Sequence, residues 1–118
     1  MSFLNQVQLI GNLGNDPEVI CTEGKKLLAK IQLATSENWK QGEERASHTE
    51  WHHVVFYNGL VELAEKYLKK GDKVFIQGKL RTNKWQDKNG ANHYITEIIA
   101  KELKFLEKKS AAGQEEAE

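Results

Sequence analysis

Thr49 to Tyr57 reads Thr-Glu-Trp-His-His-Val-Val-Phe-Tyr, β-branched or aromatic at six of nine positions, a composition that suits a strand. Successive side chains of a strand point to opposite faces, so Trp51, His53, Val55 and Tyr57 fall on one side and His52, Val54 and Phe56 on the other. The second side reads as core. The first carries two large aromatic rings beside an imidazole, an unusual surface for a face in contact with water. What else the chain brings to that face decides its function.

A chain of 118 residues with 39% hydrophobic positions suffices for one domain with one modest core. Cys21 is the single cysteine, so neither an internal disulfide nor a cysteine-based metal site is available to one chain, which fits a reducing compartment. No charged lead with an apolar run and cleavage site opens the sequence, and no stretch approaches the roughly 18 apolar residues of a membrane span. A cytoplasmic protein is expected. Formal net charge is zero, but two lysines and four glutamates lie from Glu107 onward, leaving 15 basic against 13 acidic residues in Met1 to Leu106. The body is mildly basic and the tail acidic; local placement of charge matters more than the total.

In chain order, Val7 to Ile10 is a first strand, followed by Gly11-Asn12-Leu13-Gly14-Asn15-Asp16-Pro17, which bends or bulges it before Val19-Ile20-Cys21. No Gly-Lys-Ser/Thr follows these glycines, so they do not form a phosphate loop. After a turn at Glu23-Gly24-Lys25, Leu27, Ala29, Ile31 and Leu33 alternate with Leu28, Lys30 and Gln32, and the same phase runs through Thr35 and Glu37 to Trp39. Lys40 to Ser47 is polar without periodic apolar positions and reads as a mobile surface loop.

Past the central strand the period changes. Leu60, Leu63, Ala64, Tyr67 and Leu68 form one stripe of a helix, with Asn58 as N-cap and Gly71 past the end. Tyr67, on that stripe, is expected in the core. From Lys73 to Trp85 alternation returns, with Val74, Ile76, Gly78 and Leu80 on one face and Phe75, Gln77, Lys79, Arg81, Asn83 and Trp85 on the other. Asn89-Gly90 marks a hairpin, and the return strand runs from His93 through Ile98 and Ile99. The apolar pattern stops after Leu106, so residues 1–106 form the domain and 107–118 a short acidic tail too polar to pack.

Strand, strand, strand, helix, strand, strand is the order of a five-stranded Greek-key barrel of the OB type, all-β with one helix between strands 3 and 4, whose strand 2–3 face is the usual oligonucleotide surface. In such a barrel Trp39, Trp51 and Trp85 line one path with Tyr57. Every base has a π-face, so stacking on these rings contributes about 1–3 kcal/mol per base with little sequence preference. Lysines and Arg81 between the rings neutralise phosphates, which makes affinity salt-dependent with a slope of roughly −0.7 per contact on single strands.

The chain also resembles the bacterial single-stranded DNA-binding proteins, or SSBs, from about Asn5 to Leu106. The resemblance is carried by Ile10-Gly11-Asn12-Leu13-Gly14 with Asp16-Pro17-Glu18, Leu33-Ala34-Thr35-Ser36-Glu37-Asn38-Trp39, Thr49-Glu50-Trp51-His52, Tyr67-Leu68-Lys69-Lys70-Gly71, and Gly78-Lys79-Leu80-Arg81-Thr82-Asn83-Lys84-Trp85. It implies an OB fold and a homotetramer wrapped by single-stranded DNA. It also implies stacking at Trp39, Trp51, Tyr57 and Trp85, phosphate contacts from Lys70, Arg81 and Lys84, and a subunit-interface position for His52. His53 and Asn83 stand where relatives often carry arginine, and Tyr57 where phenylalanine is frequent. SSB tails commonly close on a hydrophobic Pro-Phe pair that recruits replication and repair proteins; this sequence closes on Gln114-Glu115-Glu116-Ala117-Glu118, so recruitment through such a tip is not expected.

Three other readings stand beside this one. For an enzyme, His48, His52, His53, His93 and Cys21 are the available groups, but adjacent His52 and His53 point to opposite faces, and no zinc-deaminase or nucleophile-elbow motif is present; no catalysis, cofactor or metal is expected. An OB module acting through protein contacts, such as a primosome accessory subunit, predicts feeble DNA binding. A single-stranded RNA binder is open because stacking ignores the 2′-hydroxyl. Among individual residues, Phe56 reads as core, Phe75 as either, and Lys25-Lys26, Lys69-Lys70 and Lys108-Lys109 as solvated.

Overall fold

A computed structural model describes residues 2–108; the acidic tail beyond Lys108 lies outside the described residues. Seven elements follow one another: β1 Val7–Leu13, β2 Glu18–Thr22, β3 Lys25–Gln41, β4 Glu44–Tyr57, α1 Gly59–Tyr67, β5 Lys73–Gln86 and β6 Asn92–Glu107. The strands are ordered β1-β5-β6-β4-β3, and a further β1–β3 pairing closes the ring. All ring contacts are antiparallel except β4 with β6, which run parallel from His53↔Glu97 to Val55↔Ile99. This is the expected five-stranded OB barrel, with the helix after its third strand. The short β2 flanks β3 outside the ring.

Closure happens at the first glycine after the apolar run. β1 pairs with β5 as far as Asn12, and with β3 at Asn12↔Ala34 and Leu13↔Leu33. A Cβ on Gly11 would overlap the Ala34 carbonyl, so this strand can switch partners only where the side chain is absent. The core comes from alternate positions, among them Ala29, Ile31 and Leu33 of β3, Val54 and Phe56 of β4, and Val74 and Ile76 of β5. Phe56 is fully buried, as its phase in the strand requires.

The helix closes the barrel with Val61, Ala64 and Leu68. Two expectations about it change. Tyr67 is 43% exposed and meets Phe105 edge-on at 5.9 Å; Val61, one residue off the expected stripe, is buried with Ala64 and Leu68 in the core instead. Asn58 precedes the helix at φ 56° without a side-chain cap, its carbonyl accepting from the Val61 N–H at 3.1 Å. Leu68, already extended, ends the helix, and Gly71 at φ 94° lies in the turn beyond.

Lys40 to Ser47 is the largest correction. It is a continuation of β3 and β4, paired Trp39↔Ala46, Lys40↔Arg45 and Gln41↔Glu44, and Gly42 at φ 68° turns the chain. Both faces of this arm meet water, so it carries no apolar period for a sequence pattern to register. Leu80, on the same face of the alternation as buried Val74 and Ile76, is 48% exposed for a related reason: β5 leaves the barrel there and continues into a second arm with β6. Lys108 is half-buried and paired with buried Asp72 at 3.2 Å, not solvated.

Candidate nucleic-acid interface

Three groups of the expected site residues form around the barrel. The first is on its wall. Tyr57 ends β4, and Arg81 of β5 donates from Nη2 to its Oη at 2.6 Å while the guanidinium lies 5.5 Å from the ring centroid. The same Nη2 is 3.9 Å from Oε1 of Glu97, a carboxylate only 3% exposed. Asn83 donates from Nδ2 to that same Oε1. Lys79 and Arg81 share a shallow surface pocket with Tyr57 and Lys101. Arg81 is therefore held between a phenol and a buried anion, with cationic lysines beside it.

The second group lies where β1 ends. Trp51 is 52% exposed, and a Cβ on Gly14 would overlap its ring at Cζ3 and Cη2. The glycine leaves room for the benzo edge of the indole beside the backbone. Leu13 and Asp16 also tie down the segment after the helix: the Leu13 carbonyl accepts from the Gly71 N–H at 2.8 Å, and Asp16 Oδ1 accepts from the Lys70 N–H at 2.8 Å. Those bonds carry Lys70, exposed at its side chain, to the Trp51 end of the barrel.

The third group is the β5–β6 arm. The turn runs Asp87 to Ala91, with the Gly90 N–H on the Asp87 carbonyl at 3.1 Å and Gly90 at φ 86°, a turn with an added left-handed residue. It pairs Gln86 with Asn92, hence Trp85 with His93 and Lys84 with Tyr94. The two pairs occupy opposite faces of the ribbon. Trp85, 53% exposed, stacks on the His93 imidazole with centroids 4.2 Å apart. Lys84 Nζ stands 5.8 Å from the Tyr94 ring centroid, and that tyrosine is 64% exposed. His93 donates or shares a proton with Asp87 at 2.8 Å, and this bond, followed by that from the Ala91 N–H, holds the Asp87 carboxyl below its usual range.

Trp39, 46% exposed, stands apart on the β3–β4 arm beside Lys40 and Arg45. The unbroken register there places it opposite Ala46, whereas Trp51 is opposite Ala34. The two indoles thus lie on opposite faces of one ribbon, and a ligand that touches both passes around its edge. His52 is half-buried, its Nε2 2.9 Å from Thr35 Oγ1.

Tyr94, His93, Lys101 and Arg45 were not singled out for this surface from sequence. The signal that would find Tyr94 and His93 is the hairpin register, one residue different from that of a two-residue Asn89-Gly90 turn. Among the described residues no three His, Cys, Asp or Glu side chains converge to hold a metal ion. No helix among them is long and apolar enough to cross a membrane.

A closed OB barrel with half-exposed indoles and cationic side chains defines an oligonucleotide-binding class of protein. Residues 4–106 match the model of the single-strand binding protein family, and the chain belongs to that family. It is similar in structure to an SSB from Plasmodium falciparum solved in complex with single-stranded DNA. The TM-score is 0.80 with 39% identity, covering 91% of this chain and 98% of that one.

Proposed function

We propose that this protein binds single-stranded DNA with little base preference, coating and protecting exposed strands during replication, recombination and repair, without catalysis of its own. Bases stack on Trp39, Trp51, Tyr57 and Trp85, and Lys70, Lys79, Arg81 and Lys84 neutralise phosphates. The observation that carries this reading is the exposure of the three indoles, 46% for Trp39, 52% for Trp51 and 53% for Trp85, on a barrel of this family. Indoles placed so openly cost the fold apolar hydration and offer flat faces that duplex DNA, with its bases stacked inside, does not occupy. The protein acts as a cytoplasmic, nucleoid-associated homotetramer with His52 at a subunit contact.

A tryptophan-emission titration with oligo-dT and with matched duplex, each at two salt concentrations, tests the reading. Quenching by oligo-dT that weakens with salt, and no comparable response to duplex, is expected. Equal responses to both, or tighter binding of oligo-rU than of oligo-dT, would overturn it. Light scattering that gives a monomer mass would remove the tetramer.

A further inference from the structure

Within the β5–β6 arm a chain of contacts leads from the turn backbone to Trp85, and base stacking alone does not require it. Oδ1 of Asp87 accepts from the N–H groups of Asn89 and Ala91 at 2.9 Å each. Oδ2 is 2.8 Å from Nε2 of His93. The imidazole lies against the indole with planes 15° from parallel. The turn fixes the carboxylate, the carboxylate fixes the imidazole, and the imidazole covers one face of Trp85. The indole's 53% exposure belongs to what remains. An exposed side chain on a two-faced arm has no core to set its rotamer, and ordering it on binding costs about 0.5–1.5 kcal/mol.

We propose that His93 is a positioning residue for Trp85: backed by Asp87, it holds the indole in one orientation and leaves a single face for a base. This rests on the single-strand reading of the same site. The charged and titratable groups on that side of the arm are Asp87 in the turn and, two residue pairs nearer the barrel, Arg81 opposite Glu97, with neutral Asn83 and Ile95 between; Lys84 faces the other way, over Tyr94.

The test uses the full chain with Trp39→Phe and Trp51→Phe, so that emission reports Trp85 alone. In the DNA-free protein His93→Gln lowers the emission anisotropy, and it weakens oligo-dT binding by about twofold to tenfold, the ordering cost of one side chain. His93→Phe keeps the anisotropy and the affinity, because a ring still backs the indole. An unchanged anisotropy in His93→Gln would overturn the proposal. In the natural chain, which does not depend on those replacements folding, NMR should show His93 ring protons shifted upfield by the indole ring current and restored in Trp85→Leu; absence of that shift overturns it equally. These signals need no DNA. Failure of the natural chain to bind oligo-dT would instead remove the nucleic-acid reading, and the two failures are told apart.

Discussion

The barrel and its two arms are made of the same strands, yet they are held by different forces. Within the barrel, Val54 and Phe56 of β4 lie fully buried on one face, and a slip of one residue would turn these core side chains to the other face, so burial pins the register. Along the arms, Trp39, Trp85 and Tyr94 are between 46% and 64% exposed, and the register rests on ladder hydrogen bonds, turn geometry and cross-strand pairs. A two-stranded ribbon of this kind is marginal by itself and borrows its stability from the sheet it grows out of. On the proposed reading, stability and part of the binding surface are thereby separated along the strands: the inner half of β4 carries core residues, and the outer parts of the hairpins carry Trp39 and Trp85.

That separation breaks most visibly if a core change and an arm change behave alike. Phe56→Ala should cost about 3–5 kcal/mol in urea unfolding, the range for emptying an aromatic core site, with oligo-dT affinity per folded molecule unchanged. Trp39→Ala and Trp85→Ala should do the reverse. Their unfolding midpoints should stay within about 0.5 kcal/mol of the parent, while each loses up to about 1–3 kcal/mol of binding by titration. A Trp85→Ala midpoint that falls as far as that of Phe56→Ala would mean the arm is part of the core.

Gly14 lies on the border between the two regions. Gly14→Ala should push the Trp51 ring off the backbone and weaken oligo-dT binding by less than Trp51→Ala does, measured by the same titration. Arg81→Ala should make the salt dependence shallower by roughly 0.7, one phosphate's share. A slope that does not move would show that Glu97 and Tyr57 keep this guanidinium for themselves.

The smallest effect concerns the turn of the β5–β6 arm. His93 first, and then the backbone N–H of Ala91, hold the Asp87 carboxyl below its ordinary value. The unfolded chain therefore takes up this proton more readily than the folded one. The stabilisation is complete above the unfolded-state value and is lost as pH falls through the depressed one. Protection of the amides of residues 86–92 against hydrogen exchange, relative to their intrinsic rates, should fall at that acidic end while the barrel amides stay protected. Loss of protection in both at the same pH would erase the distinction between arm and barrel.

Much of the barrel was legible in advance because burial writes itself into a strand as alternation. Val54 and Phe56, or Ile31 and Leu33, announce an inward face, and the change of period at Leu60 announces the helix. The three tryptophans could be expected outside because their neighbours were polar and charged. The arms left no such trace. Lys40 to Ser47 read as a loop because a ribbon wet on both faces needs no apolar residue anywhere. Tyr67 read as core because the phase of the stripe continues in sequence after the helix has left the interior. Lys108 read as solvated because its partner, Asp72, lies 36 residues away.

Composition and periodicity by themselves determined which barrel segments extend, where one coils into a helix, that the three tryptophans lie outside the core, and the family pattern that joins them. Local spacing is sufficient for all of that, since each depends on residues a few positions apart. Only the closed fold decided the rest: that Trp39 and Trp51 stand on opposite sides of one ribbon, that Glu97 sits beneath Arg81, and that His93 lies against Trp85. Those juxtapositions depend on strand register and barrel closure, which are settled by packing across the whole chain and by the exact residue at which a turn reverses it.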